Sequence, residues 1–246
     1  MSSAFRDTYV PAGESFGPSA NAPGTRSRRF PELEDAAITP QSDRFYARFG
    51  KRALDLLIVV MVAPIAIPLI AILSAIVALE IGRPLFAHNR LGQGGRSFGC
   101  LKIRTMFLDA DARLMRLFLE HPEREAEWKA NYKLTNDPRV TRIGRFLRRT
   151  SLDELPQLWN VLRGDMSLVG PRPVTEPEIV LYGRQAEAYF AVRPGLTGLW
   201  QVSGRNALSF YDRAKLDAHY VMTMGFRRDL GILARTLRVM ANLSGR

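Results

Sequence analysis

The chain is 246 residues long, 46% hydrophobic, and carries a formal charge of +11 at neutral pH. That size and apolar fraction support one sizeable core, and the charge points to anionic partners: nucleic acid, an anionic membrane face or phosphorylated substrates. A single cysteine, Cys100, excludes an internal disulfide, and three scattered histidines (His88, His121, His219) form no ligand cluster that would make a zinc site.

Residues 1–43 are rich in Ser, Pro, Gly and Ala without a sustained apolar period, which predicts a disordered N-terminal tail. No apolar stretch directly follows a basic start, so a signal peptide is not expected. From Leu56 to Leu79 there is no charged residue, a run longer than the roughly 20 residues that cross a bilayer as a helix. Pro64 and Pro68 lie near its middle, where each removes a backbone donor and crowds the preceding turn. Both flanks are basic: Arg44, Arg48, Lys51 and Arg52 before the run, and Arg83, Arg90, Arg96, Lys102 and Arg104 after it. Lysine and arginine concentrate on the cytoplasmic side of membranes. Two basic flanks are reconciled most simply when residues 44–82 dip into the bilayer, bend at a proline and return, although prolines are also tolerated in an ordinary kinked spanning helix.

The stretch LGQGGRSFGCLKIRTM, punctuated by Gly92, Gly94, Gly95 and Gly99, reads as a turn between two short strands and lacks the Gly-Lys-Ser/Thr ending of a Walker loop. Residues 109–133 set Leu114, Leu117, Phe118 and Trp128 among charges, which predicts an amphipathic helix interrupted at His121-Pro122. Further helices are expected over 155–162 and 179–190. From Phe226 onward a basic amphipathic helix either lies on a membrane surface or packs on the domain.

Three blocks converge on phosphate chemistry. Arg139, Arg142, Arg145, Arg148 and Arg149 lead into Thr150-Ser151-Leu152-Asp153-Glu154-Leu155-Pro156. Arginines three apart share a helical face, and guanidinium groups suit phosphate oxygens, but most of a run this dense is expected to be a solvated basic face. Ser151 and Glu154 also fit a helix-opening capping box, a reading strained by Pro156, which would then fall past the first turn. Functionally, a carboxylate beside arginines stays ionised and can attack phosphorus, while its neighbour can hold Mg²⁺ against a diphosphate. In the second block, GDMSLVGPRP, two prolines fix the backbone around Arg172. In the third, RPGLTGLWQVSGRN, Pro194-Gly195 marks a tight turn and Gly204 permits close backbone approach before Arg205. Trp200 is read as a core residue in preference to a stacking surface for a base.

The runs LKIRTM, TSLDELPQLWNVLRGDMSLVGPRP and VRPGLTGLWQVSGRNA resemble the bacterial sugar transferases, the monotopic polyprenyl-phosphate phosphoglycosyl transferases, from about Phe45 onward. The resemblance implies an α+β, mostly helical protein: a proline-broken re-entrant helix (44–82) and a small cytoplasmic catalytic domain (83–246) ending in an amphipathic membrane-associated region. It implies Asp153 as nucleophile, Glu154 as Mg²⁺ ligand, Arg148 as a phosphate contact, and Lys102, Arg172 and Arg205 within substrate-binding motifs. The helix break falls at Pro64 or Pro68. The implied reaction moves a hexose-1-phosphate from a UDP-sugar to undecaprenyl or a similar polyprenyl phosphate at the inner membrane, releases UMP, and initiates exopolysaccharide or related glycan assembly. Membrane lipid is an implied partner, nucleic acid is not, and homo-oligomerisation is left open. Two alternatives stand beside it: a membrane glycosyltransferase that releases UDP, and a membrane-anchored basic protein that grips nucleic acid.

Overall fold

The apolar run organises the structure. In the computed structural model, which describes residues 45–131, 134–204 and 208–241, helix α1 spans Lys51–Ile81 after a π-helical turn at Tyr46–Gly50. Lys51, Asp55, Val59, Ala66, Leu73 and Val77 are its buried residues. Their spacings of four and seven keep them on one side. Ile65, Ile67 and Ile72 are exposed, as is Leu79 at 91%. An apolar face of that extent calls for lipid or a partner against it. Among the described residues it is the one helix long and apolar enough to cross a membrane.

No interruption of the helix marks the expected break. α1 is helical through both Pro64 and Pro68. Each proline deletes one amide donor and crowds the carbonyl four residues back, but its fixed φ is helical, and the rungs on either side carry the helix onward. The tail expected over residues 1–43, together with Arg44, lies outside the described residues.

Gly82, in a positive-φ conformation, ends α1, and the chain enters the expected hairpin, β1 (Leu85–Leu91) and β2 (Ser97–Ile103). The strands pair antiparallel from Leu85 opposite Ile103 to Leu91 opposite Ser97, with Gly94 and Gly95 supplying the left-handed turn. Helices α2 (Ala110–Glu120) and α3 (Pro122–Asn131) meet at His121-Pro122, where the break was expected. In α4 (Arg142–Thr150) the Thr141 side chain caps the N-terminus by accepting from the Gly144 amide. A 3₁₀ turn, Leu152–Glu154, leads to α5 (Gln157–Arg163). Helix was expected from Leu155, but α5 starts two residues later with Pro156 as its N-cap.

The second and third sequence blocks lie side by side. Strand β3 (Ser167–Val169) is followed by α6 (Glu176–Val180) and α7 (Ala186–Ala191), and β4 (Gly195–Thr197) then pairs parallel to β3. The single helix expected over 179–190 is divided by a 3₁₀ turn at Gly183–Gln185, where Gly183 takes φ 51°. A Cβ on Gly195 would sit 2.1 Å from the Gly170 amide nitrogen, so only glycine allows the two motifs to cross this closely. Helices α8 (Leu199–Ser203), α9 (Phe210–Thr223) and α10 (Phe226–Ala241) complete the fold. α10 buries Ile232 in the core and leaves Leu230 and Leu237 exposed, so it packs on the domain and keeps an apolar outer edge.

Both ends of α1 are tied to the rest of the chain. Near its start, Lys51 Nζ lies 2.7 Å from Asp229 Oδ2, and the Tyr46 and Tyr220 hydroxyls donate to the same carboxylate, each at 2.7 Å. Arg52 donates to the Val161 and Leu162 carbonyls at the end of α5 (2.6 and 2.8 Å). Asp55 accepts from Ser167 Oγ and the Leu168 amide on β3. Val59 joins a core with Cys100, Val161, Met166, Leu168, Val169, Tyr220 and Ile232. Toward the other end, Leu73 and Val77 pack with Ile103 of β2 and Leu147 of α4.

Candidate active site

Between β2, α4, the Leu152–Glu154 turn and the Gly170–Arg172 segment lies an open cavity of about 740 Å³. Five of the six substrate-site residues singled out in the sequence, Lys102, Arg148, Asp153, Glu154 and Arg172, line it. Arg205 lies outside the described residues.

The acidic pair is placed by a backbone feature that its sequence disguises. Ser151 closes α4 in the left-handed conformation (φ 58°, ψ 18°), one of two described non-glycine residues with positive φ. It is no capping box: the Ser151 side chain makes no cap bond, and the Glu154 carboxylate turns to Lys102, whose Nζ is 2.6 Å from Oε1. The reversal at Ser151 sends the chain back under α4, and Asp153 is left 8% exposed. A non-glycine residue in this region is held there by its surroundings and is common at functional sites.

The two carboxyls are driven apart electrostatically. Burial pushes Asp153 up to about 6; Lys102 pulls it back, the Glu154 charge adds to the rise, and Arg148 pulls it back further. Burial acts on Glu154 too, but Lys102, Arg172 and Arg90 outweigh it and hold that carboxyl below its usual range. Glu154 is therefore ionised throughout the neutral range, and Asp153 ionises just below it.

Of the five arginines before the pair, the cavity takes Arg148. Its Nε donates to Thr105 Oγ1 at 2.8 Å, which fixes the plane of the guanidinium fork. Arg139 instead pairs through Nε and Nη2 with Asp137 and stacks over the Trp128 ring. Arg142, Arg145 and Arg149 are exposed and do not line the cavity, in keeping with a solvated basic face. Arg172 emerges from the crossing of β3 and β4. The next residues are clamped: Arg90 donates to Pro173 O and to Glu178, and the Val174 amide donates to Tyr189 Oη. Below lies Asp217, fully buried and accepting from Tyr182 Oη (3.0 Å); burial pushes its carboxyl up to about 8, so it is largely neutral at pH 7.

Sequence reasoning missed Thr105, the residue that orients Arg148, although it stands in LKIRTM. It also missed Gly144, whose missing side chain lets α4 lie against the Thr105 carbonyl. Trp200 is buried, as read, but also reaches the cavity wall, with Arg213 4.8 Å over its ring. His88 lines the cavity as well; burial, with Arg90 and Lys102 nearby, lowers its pKa and keeps it neutral at pH 7.

The cavity thus holds a buried, high-pKa aspartate beside an ionised glutamate, with Lys102, Arg148 and Arg172 in the same lining. The bacterial sugar transferase family matches residues 46–243, and the chain belongs to it. It is 46% identical over 199 residues to the UDP-galactose-lipid carrier transferase of Erwinia amylovora, covering 81% of this chain and 42% of that protein. It is 43% identical over 199 residues to the undecaprenyl-phosphate galactose phosphotransferase of Salmonella typhimurium, with the same coverages of 81% and 42%. With the exopolysaccharide production protein ExoY of Rhizobium meliloti it shares 46% identity over 189 residues, 76% of this chain and 84% of that one. The chain thus spans less than half the length of the first two relatives.

Proposed function

We propose that the protein transfers a sugar-1-phosphate from a UDP-sugar to a polyprenyl phosphate, through a covalent aspartyl-phosphosugar and with release of UMP. The observation that carries this reading is the buried Asp153, ionising near pH 6, beside the Lys102–Glu154 pair and facing a cavity that also receives Arg148 and Arg172. The relatives' names, which include an undecaprenyl-phosphate galactose phosphotransferase, supply the substrate classes.

In this reading Lys102, Arg148 and Arg172 receive the diphosphate and offset its charge. A carboxylate oxygen of Asp153 bonds to the β-phosphorus, the bond to the α-phosphate oxygen breaks, and UMP departs with the electron pair. A phosphate oxygen of the acceptor then attacks the same phosphorus and returns Asp153 as a carboxylate. The donor set suits Mg²⁺ shared with substrate. Among the described residues no three His, Cys, Asp or Glu side chains converge, while Glu154 presents an ionised carboxylate, and magnesium is commonly bound by one or two carboxylates plus substrate phosphates. Glu154 would hold the ion, which would neutralise charge on the departing phosphate.

The monotopic, cytoplasmic-face arrangement belongs to the same proposal. Its support is that Lys51–Val59 and Leu73–Val77 both pack on the catalytic core, so α1 does not stand away from the domain as a simple spanning stalk would. Donor alone tests the mechanism. UDP-sugar labelled in the sugar should leave hydroxylamine-sensitive label on the protein with an equal amount of UMP, and Asp153→Asn should abolish both. Active wild-type protein that stays unlabelled until acceptor is added would reject the covalent intermediate. UDP in place of UMP would favour an ordinary glycosyltransferase.

A further inference from the structure

The cavity lining has two unlike parts. Its cations and carboxylates are described above; beside them lies an apolar patch, Phe86 at the start of β1 and Met106, Phe107 and Leu108 after β2, with Arg104 and Asp111 at its margins. Phe86 stands directly across the hairpin from Lys102, so both side chains leave the same face of the sheet. The apolar patch therefore begins one cross-strand spacing from the cation that holds Glu154.

This patch is open, and it adjoins the membrane helix. Phe86 is 40% exposed and Leu108 56%, and Leu85 beside them is exposed too. Three residues, Gly82, Arg83 and Pro84, separate the end of α1 from β1, so the exposed apolar face of α1 leads within a few residues to the cavity mouth. Ile103 links the two directly, since it lines the cavity and packs with Leu73 and Val77 of α1. Arg104 marks the rim, donating to the Arg83 carbonyl (2.9 Å) and lying 5.1 Å over the Phe86 ring.

A cavity that sets cations next to an exposed apolar patch, and shares Ile103 with the packing of an apolar helix, is complementary to an amphiphile with a phosphate head and a hydrocarbon tail. We propose that Phe86, Met106, Phe107 and Leu108 seat the first isoprene units of the polyprenyl phosphate acceptor. This deepens the transferase reading and rests on it.

The experiment separates the two half-reactions. In the full-length protein carrying Phe86→Ser and Leu108→Ser together, labelling by UDP-sugar alone should stay within about twofold of wild type, which also reports an intact fold. Transfer of that label to subsaturating undecaprenyl phosphate should fall about tenfold or more, because burial of two large apolar side chains against the tail is lost. In parallel, an undecaprenyl phosphate bearing a photoreactive group on its first isoprene unit should cross-link to the wild-type peptide around Phe86 or that around Leu108. If the double variant slows labelling by the donor as much as transfer to the acceptor, the patch serves the nucleotide and the proposal falls. Cross-links confined to other segments overturn it as well. Wild-type protein that never labels counts against the covalent mechanism instead, and the cross-link map still decides the path of the tail.

Discussion

Lys102 and Glu154, 52 residues apart in sequence, meet at 2.6 Å beside the buried Asp153. The lysine acts on both acids, holding Glu154 ionised and limiting the rise of Asp153. Lys102→Met should therefore do more than weaken donor binding. Without the ammonium, Asp153 titrates higher, so the acidic limb of the donor half-reaction moves up from about 6 and the rate at pH 7 falls by roughly 10²-fold or more. A pH–rate profile of single-turnover UMP release reads both effects. An unchanged midpoint would show that Lys102 does not set the nucleophile's ionisation.

The contact between α4 and the segment after β2 predicts the effect of filling one glycine. A Cβ on Gly144 would lie 2.1 Å from the Thr105 carbonyl oxygen, and that carbonyl already accepts from the Thr141 amide at 3.1 Å. Gly144→Ala must push α4 outward, at a cost of about 1–3 kcal/mol. It should also draw Arg148 away from Thr105 Oγ1. Lower thermal stability together with a raised KM for the UDP-sugar is expected. Wild-type values for both would mean that the helix shifts without cost.

How much of this was legible in the sequence depends on the range of the interactions. The hairpin, the division at His121-Pro122 and the charge-free helix follow from local pattern, and the structure has all three. The helix runs through Pro64 and Pro68, whose fixed φ is compatible with helical geometry, so the bend that re-entry needs would be a kink in the helix and not an interruption of it. Ser151 was hidden: Ser-x-x-Glu is also the local signature of a helix start, and only packing decides that the serine turns left-handed and the glutamate goes to Lys102. The Tyr46–Lys51–Tyr220–Asp229 network joins residues up to 183 positions apart, beyond any periodicity argument. Lys102, Arg148 and Arg172 were placed in the site by resemblance; composition and spacing alone left them among many basic residues.

The seating of α1 leads to a topological prediction. Arg48 and Arg96 are exposed, one before α1 and one in the hairpin turn after it. In a Cys100→Ala background, Arg48→Cys and Arg96→Cys should both resist an impermeant thiol reagent in intact cells and both react in inverted vesicles. Labelling of one from outside would mean that α1 spans, and the re-entrant arrangement would be abandoned.

For the metal, the expectation is that chelation abolishes UMP release and magnesium restores it. Glu154→Gln should lose most activity even in excess magnesium, since an amide is an uncharged and poorer ligand. Removing Glu154 also removes one of the causes that raise Asp153. The acidic limb of any residual activity should accordingly move below 6. Full activity in chelator would exclude a role for the ion, and a limb that moves upward would contradict the electrostatic reading of the pair.

Asp153 itself should show the cost of holding a charge in a buried site. In the unfolded chain its carboxyl titrates at the ordinary 3.8, and in the folded protein at about 6. The folded state thus binds the proton more tightly, so this group's contribution to stability is present below about 3.8 and is lost as pH rises through 6. Above that range the ionised carboxylate destabilises the fold by roughly 1–3 kcal/mol, from a rise of about two pKa units at about 1.4 kcal/mol each. Asp153→Asn keeps the shape and removes the charge. It should be inactive in the donor half-reaction yet melt several degrees higher than wild type at pH 8, with the difference vanishing near pH 4. Thermal melts of the two proteins across that range make the comparison. If the asparagine variant is no more stable at pH 8 than at pH 4 relative to wild type, the aspartate is not strained by its surroundings. Its elevated pKa would then have to be given up as the basis for the nucleophile's behaviour.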